Sequence, residues 1–383
     1  MESPDSSIPH VTQPPVAAAA PAGAGTVRTT VTAPHGTDEG ADFTPVLAAP
    51  AIGSVAPNQG SVDGGNTVTL TGTGFTGATS VAFGTVAAAF IAVSATQVTA
   101  IAPAAPAGTV NVTITTPGGT SAGVPYTYVA GPVLGGVAPA QGPLVGGNTV
   151  TLSGTGFTGA TSVRFGVNAA SLFTVVSPTQ LTASAPTGGP GPVAVTVATP
   201  GGTSTQPVFY YYLGAPVLNA ISAGAGQVAG ANSVTLTGTN LLQATAVRFG
   251  ATAATTYTIT SATEIRVVVP SGVAGTVPVT VTTPGGTSNG VAYSYLGVPV
   301  LTGLAPAQGP SAGGTTVTLT GIGLTYTTAV LFAAVAAGFT VVSDTQLTTT
   351  APPGAAGAVT VRVVTPGGTS IGLPYTRLDP PGV

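Results

Sequence analysis

Residues 70–77 read LTGTGFTG, and the same G-x-G-x-x-G spelling returns at Gly154, Gly156 and Gly159. Such glycines cradle a pyrophosphate when a strand runs through them into the N-terminus of a helix. Here the stretch before them alternates, with Val68 and Leu70 on one face and Thr67, Thr69 and Thr71 on the other. The stretch after them, ATSVRFG in the second copy, is strand-like again. No acid stands about 20 residues downstream to hold a ribose. A third copy carries Gly238, Asn240 and Gln243 at these places, and a fourth carries Gly321, Gly323 and Tyr326. Asn is the other residue that tolerates a positive φ. We therefore read Gly72, Gly74, Gly154, Gly156, Gly238, Gly321 and Gly323 as structural turn glycines between two strands. Phe75 and Phe157 are expected to tuck into a core beside them.

The surrounding sequence repeats as a whole. TPGGTS occurs at 116–121, 199–204, 283–288 and 365–370. GGNTVTL occurs at 64–70 and 146–152, then as GANSVTL at 230–236 and GGTTVTL at 313–319. Both series advance by 82 to 84 residues, a period that marks an array of modules. Their limits are read as 49–130, 131–213, 214–297 and 298–383. Each module shows period-two stretches with one apolar face, such as Val110, Val112 and Ile114, or Val359, Val361 and Val363. That is the pattern of a half-buried antiparallel strand. About seven short strands per module suit a small β-sandwich. Phe83, Phe165, Phe249 and Phe332 lie on the apolar phase and are expected in its core.

Composition narrows function. Charged residues make up 4% of the 383 residues, against about 25% in an average soluble protein. The six basic residues are all Arg, and the net charge is −3. Such a surface gives no field to steer nucleic acid or an anionic membrane, so neither is expected as a partner. Arg164 and Arg248 occupy one equivalent strand position and are read as solvated. There is no Cys, hence no disulfide framework. No run of about 18 apolar residues is free of Gly, Pro or polar breaks, so membrane insertion is not expected. The start, MESPDSSIPH, lacks the basic opening and apolar run of an export leader. A chain not exported by that route, an upstream start or a removed leader would each account for that.

P-x-x-G-x-x-x-G-G, then a strand, G-x-G-F, V-x-F-G and finally TPGG form one ordered set of motifs. In the first module it comprises Pro57, Gly60, Gly64, Gly65, Gly72, Gly74, Phe75, Val81, Phe83, Gly84 and Pro117–Gly119. This set resembles the IPT/TIG domain. The resemblance implies an all-β chain of four tandem immunoglobulin-like β-sandwiches of the E-set type. The third module departs most, since SAGAGQVAGAN lacks the Pro and the paired Gly, and its first loop is expected to differ. The family includes plexins, certain receptor kinases, Rel-type transcription factors and many bacterial surface proteins, so it specifies the fold better than the use.

No catalytic constellation is found. His10 and His35 lie in the N-terminal segment, and the modules carry isolated acids such as Asp63, Glu264 and Asp344. Paired carboxylates, metal-ligand clusters and a base beside a nucleophile are missing. No enzyme activity, cofactor or metal is expected.

The joints YTYVAGPVL (126–134), YYYLGAPVL (210–218) and YSYLGVPVL (293–301) pass from one module to the next in about three residues. Pro132, Pro216 and Pro299 stiffen them. The expectation is a rod-like array, about 35–40 Å per module and about 150 Å in all. Tyr128, Tyr212 and Tyr295 hold one equivalent position at these joints, where the fourth copy has Arg377. They are candidate module-joint contacts, with completion of each module's own core as the other reading. Arg377 is expected to be a solvated terminal variant.

Residues 1–48 read as a Pro/Ala-rich, mostly irregular tail plus the remnant of a truncated repeat. GTVRTTVTAPHGT (25–37) aligns without gaps to GTVNVTITTPGGT (108–120), which sets Phe43 opposite Tyr126. These orphan strands either fray or complete themselves on a neighbouring chain by strand addition. Sheet edges without guarding charges offer a second route to self-association. The resemblance to bacterial surface proteins favours a structural or adhesive stalk, spacer or fibre subunit at the cell surface. The alternatives are a recognition module binding carbohydrate or a protein partner through inter-strand loops, and an intracellular scaffold.

Overall fold

The computed structural model describes residues 30–33, 36–39 and 47–379. Every element among them is a strand. The first two, β1 (Thr30–Ala33) and β2 (Gly36–Glu39), form an antiparallel hairpin that pairs Thr32 with Thr37 and Ala33 with Gly36. His10, His35 and Phe43 lie outside the described residues.

The first module contains β3 (Ala51–Ala56), β4 (Gln59–Ser61), β5 (Thr67–Thr73), β6 (Ser80–Phe83) and β7 (Val86–Ala88). It continues with β8 (Phe90–Ser94), β9 (Gln97–Ile101), β10 (Gly108–Thr116), β11 (Gly119–Thr120) and β12 (Val124–Val129). One sheet has the order β3-β5-β9-β8, and the other β4-β12-β10-β6-β7 with β11 on β10. All pairings are antiparallel except β12 with β4. Modules 2, 3 and 4 repeat both sheets in the same order.

The expected strands are present, and the structure divides the chain more finely than seven per module. The first strand splits into β3 and β4 where Ala56–Pro57 is cis, switching the chain from one sheet to the other. Ala138–Pro139 and Ala305–Pro306 do the same in modules 2 and 4. In the third module, which lacks this Pro, Ala223 turns the chain at φ 52° instead.

Alternation decides which side chains fill the sandwich. On β5 it buries Val68 and Leu70, and on β10 it buries Val112, Ile114 and Thr116. Phe75, Phe83, Tyr126 and Tyr128 close the core between the sheets. Each fully buried aliphatic or aromatic side chain contributes about 1.5–3 kcal/mol. The four motif phenylalanines are at most 2% exposed. With Tyr126, Tyr210, Tyr293 and Tyr375 they form edge-to-face ring pairs at centroid distances of 5.0–5.3 Å.

Candidate functional site

The glycines of the apparent fingerprint do two different jobs. Gly74, Gly156 and Gly323 take φ values of 73°, 72° and 78°, which turn the chain out of one strand toward the next. In the third module Asn240 takes φ 56° at this place, and its side-chain amide donates to the Ala215 carbonyl at 3.1 Å. Gly72, Gly154, Gly238 and Gly321 lie within a strand beside a β-bulge. A Cβ on any of them would overlap the carbonyl oxygen of the facing strand, from Ala51, Val133, Val217 or Val300. After the second glycine comes a short turn and then the strand Ser80–Phe83 or Ser162–Phe165. There is no helix N-terminus here to hold a phosphate.

Tyr128, Tyr212 and Tyr295 are at most 3% exposed and belong to the cores of their own modules. The Tyr212 hydroxyl donates to the Pro186 carbonyl at 2.6 Å, and the Tyr295 hydroxyl to that of Pro270 at 2.9 Å. Burial pushes the Tyr212 hydroxyl up to about 12, with the neighbouring Tyr210 adding to the effect. Burial also raises Tyr126, Tyr128, Tyr210, Tyr293 and Tyr295.

Arg377 overturns its expectation. It is 6% exposed, not solvated, and its Nε and Nη2 are buried without a hydrogen-bond partner. The reason is register: Arg377 pairs with Gly357 on the phase that Tyr128 and Tyr212 occupy, so its stem must enter the core. Arg164 and Arg248 are exposed, each donating to a carbonyl three residues on, Val167 or Ala251.

In modules 3 and 4 the TPGG turn seats on the segment through which the chain enters the module. Gly285 lies so close to the Gly214 carbonyl that a Cβ would overlap it, and Gly367 stands in the same relation to Gly297. Gly118 lies in this way against Ala48, ahead of the first module. A serine holds each turn, buried in all but the third module: Ser121, Ser204, Ser288 and Ser370 accept from the backbone amides of Ile114, Val197, Val281 and Val363 at 2.9–3.1 Å.

The acids are used locally. Asp344 accepts from the Thr325 hydroxyl at 2.8 Å and the Gly323 amide at 3.2 Å, and these bonds hold its carboxyl below the usual range. Glu264 pairs with Arg266 at 3.3 Å on the surface. Among the described residues no three His, Cys, Asp or Glu side chains gather as metal ligands would. Among them, too, no helix is long and apolar enough to cross a membrane.

One surface escaped the sequence reading. Phe209 and Tyr211, on the last strand of module 2, are 44% and 46% exposed. The other modules have Pro125 and Thr127, Ala292 and Ser294, or Pro374 and Thr376 at these places. Comparing the copies position by position would have found the pair, because aromatic rings on the polar phase of a strand serve no core.

Four two-sheet sandwiches with a shared motif set define a tandem array of immunoglobulin-like modules. Residues 50–128, 132–212, 216–295 and 299–377 each match the family model of the IPT/TIG domain, so the chain belongs to that family. It is similar to Fibrocystin-L of Mus musculus, at 27% identity over 298 residues. That match covers 74% of this chain and 7% of the length of Fibrocystin-L. Among solved structures it is similar to the extracellular region of plexin A4, at 21% identity and a TM-score of 0.35, covering 87% of this chain and 30% of that one. It is also similar to invasin, a bacterial integrin-binding protein, at 14% identity and a TM-score of 0.27, covering 85% of this chain and 78% of that one.

Proposed function

We propose that the chain is a non-enzymatic structural or adhesive element at a bacterial cell surface, a stiff spacer built of repeated modules. The observation that carries this reading is the joint. Gly285 on Gly214 and Gly367 on Gly297 are backbone-to-backbone seats with no room for an intervening side chain. A connection of this kind restricts bending, which is what a spacer needs and a flexible scaffold does not. The acids bonded into turns and surface pairs, and the hydroxyls of Tyr212 and Tyr295 given to carbonyls of their own modules, fit a chain whose polar groups serve the fold.

Small-angle scattering tests the spacer. The parent chain is expected to give a long-tailed distance distribution, and Gly285→Val with Gly367→Val is expected to shorten that tail. Identical profiles for the two would remove the joint from the argument. Immunolabelling of intact against permeabilised cells tests the location, and signal in permeabilised cells alone would refute a surface site.

A further inference from the structure

Module 2 differs from the other three on the outer face of its larger sheet. Its last strand, Val208–Leu213, reads VFYYYL. Tyr210 and Tyr212 enter the core, and alternation turns Phe209 and Tyr211 outward. On the adjacent strand Ala194 pairs with Phe209, and Pro192 pairs with Tyr211. Modules 1 and 3 place hydroxyl pairs on this face instead, Thr109 with Thr127 at 3.0 Å and Thr276 with Ser294 at 2.9 Å. A polar stripe has thus become two half-exposed rings backed by Pro and Ala. The fold does not ask for them, since three sibling modules close the same sandwich with small or polar residues there.

We propose that this face of module 2 binds a neutral oligosaccharide, with Phe209 and Tyr211 stacking on the C–H faces of two pyranose rings. Three observations select that ligand. The first is size. Rings of this kind offer about 150–250 Å² each when fully covered, so two half-exposed ones offer about 200 Å², far below the ~800 Å² per partner of a stable protein interface. The second is charge. Module 2 contains no acid, and its one cation, Arg164, gives its Nη1 to the Val167 carbonyl. A nucleic-acid strand stacking on aromatics needs a cationic groove, which a single Arg does not make. The third is layout. Residues two apart on a strand stand about 6.6 Å from one another, which suits neighbouring sugar rings rather than one. Gln141, paired beside Tyr211, supplies a carboxamide, and Tyr211 a hydroxyl, for the sugar hydroxyls at the rim. The platform lies on a sheet face, whereas the loops are dominated by Gly, Ala, Thr and Ser.

Affinity electrophoresis of the full chain in native gels containing a soluble β-glucan, a mannan or a galactan tests this. The parent chain is expected to be retarded by at least one of them. The double variant F209A/Y211S carries the residues module 3 has at these positions, so it is expected to keep its melting temperature and weaken binding at least tenfold. Phe209→Tyr is expected to retain binding. No retardation in any of the three gels would overturn the proposal, and so would equal retardation of the double variant. Sedimentation showing a parent dimer that the double variant dissociates would also overturn it, by assigning the rings to self-association. The gel results do not bear on the scattering test of the spacer.

Discussion

The hydroxyl of Tyr212 donates to the carbonyl oxygen of Pro186 across 2.6 Å, tying the last strand of module 2 to the loop after the strand Gln180–Ser184. Removing it leaves a partly buried carbonyl without its donor, at a net cost of about 1 kcal/mol. Tyr212→Phe is expected to speed native-state hydrogen exchange in peptides from 133–213 by about fivefold, leaving 217–296 unchanged. Equal effects in both segments would show that the bond is not local to its module.

The same tyrosines set an alkaline limit. The Tyr212 hydroxyl titrates near 12 in the folded chain, against 10.0 for a free tyrosine. Between those values the folded state holds a proton that the unfolded state has released, so stability is complete below pH 10 and falls as the pH rises toward 12. Thermal unfolding followed by circular dichroism is expected to show a constant melting temperature from neutral pH to about 9 and a decline above 10. A melting temperature that stays level through this range would contradict the assignment.

Two glycines at opposite ends of the strand Thr149–Thr155 are expected to respond differently. A methyl group on Gly154 meets the Val133 carbonyl and the Phe157 ring, both fixed, whereas one on Gly147 meets nothing within 4 Å and incurs only the strain of φ 84°. Gly154→Ala is expected to cost about 3 kcal/mol by overpacking, and Gly147→Ala about 1 kcal/mol. Denaturant midpoints for module 2, read by hydrogen exchange, rank the two. The reverse order would place the constraint in the turn rather than in the strand contact.

Arg377 leaves two buried nitrogens unpaired, and Gly354 lies against its guanidinium as Gly188 lies against the ring of Tyr212. Arg377→Tyr restores a ring that fits this place in the sibling modules. It is expected to stabilise module 4 by about 1–3 kcal/mol, the cost of unsatisfied buried polar groups. Calorimetry of the full chain would show the transition of module 4 moving upward. A downward move would mean that the guanidinium has a partner in solution.

Much of this architecture is legible in the letters because the repeats supply four readings of each position. TPGG, the V-x-F-G phenylalanines and the alternation of Val68 with Leu70 state strand, turn and core phase without ambiguity. What escaped depends on phase carried across strands. Arg377 reads as a surface residue by type, and only its pairing with Gly357 fixes its stem inside. Tyr211 hides between two core tyrosines, so the run YYY conceals a ring that faces water. Gly72 and Gly74 look alike in the motif, yet one answers to a neighbouring carbonyl and the other to its own φ.

The seats of Gly285 against Gly214 and of Gly367 against Gly297 are made mainly of backbone, with only the Leu296 Cβ beside the second. A connector that reads so little of any side chain is a general coupling. Any unit can follow any other, so unequal crossing-over between near-identical coding segments would lengthen or shorten the array by whole units without designing a new interface.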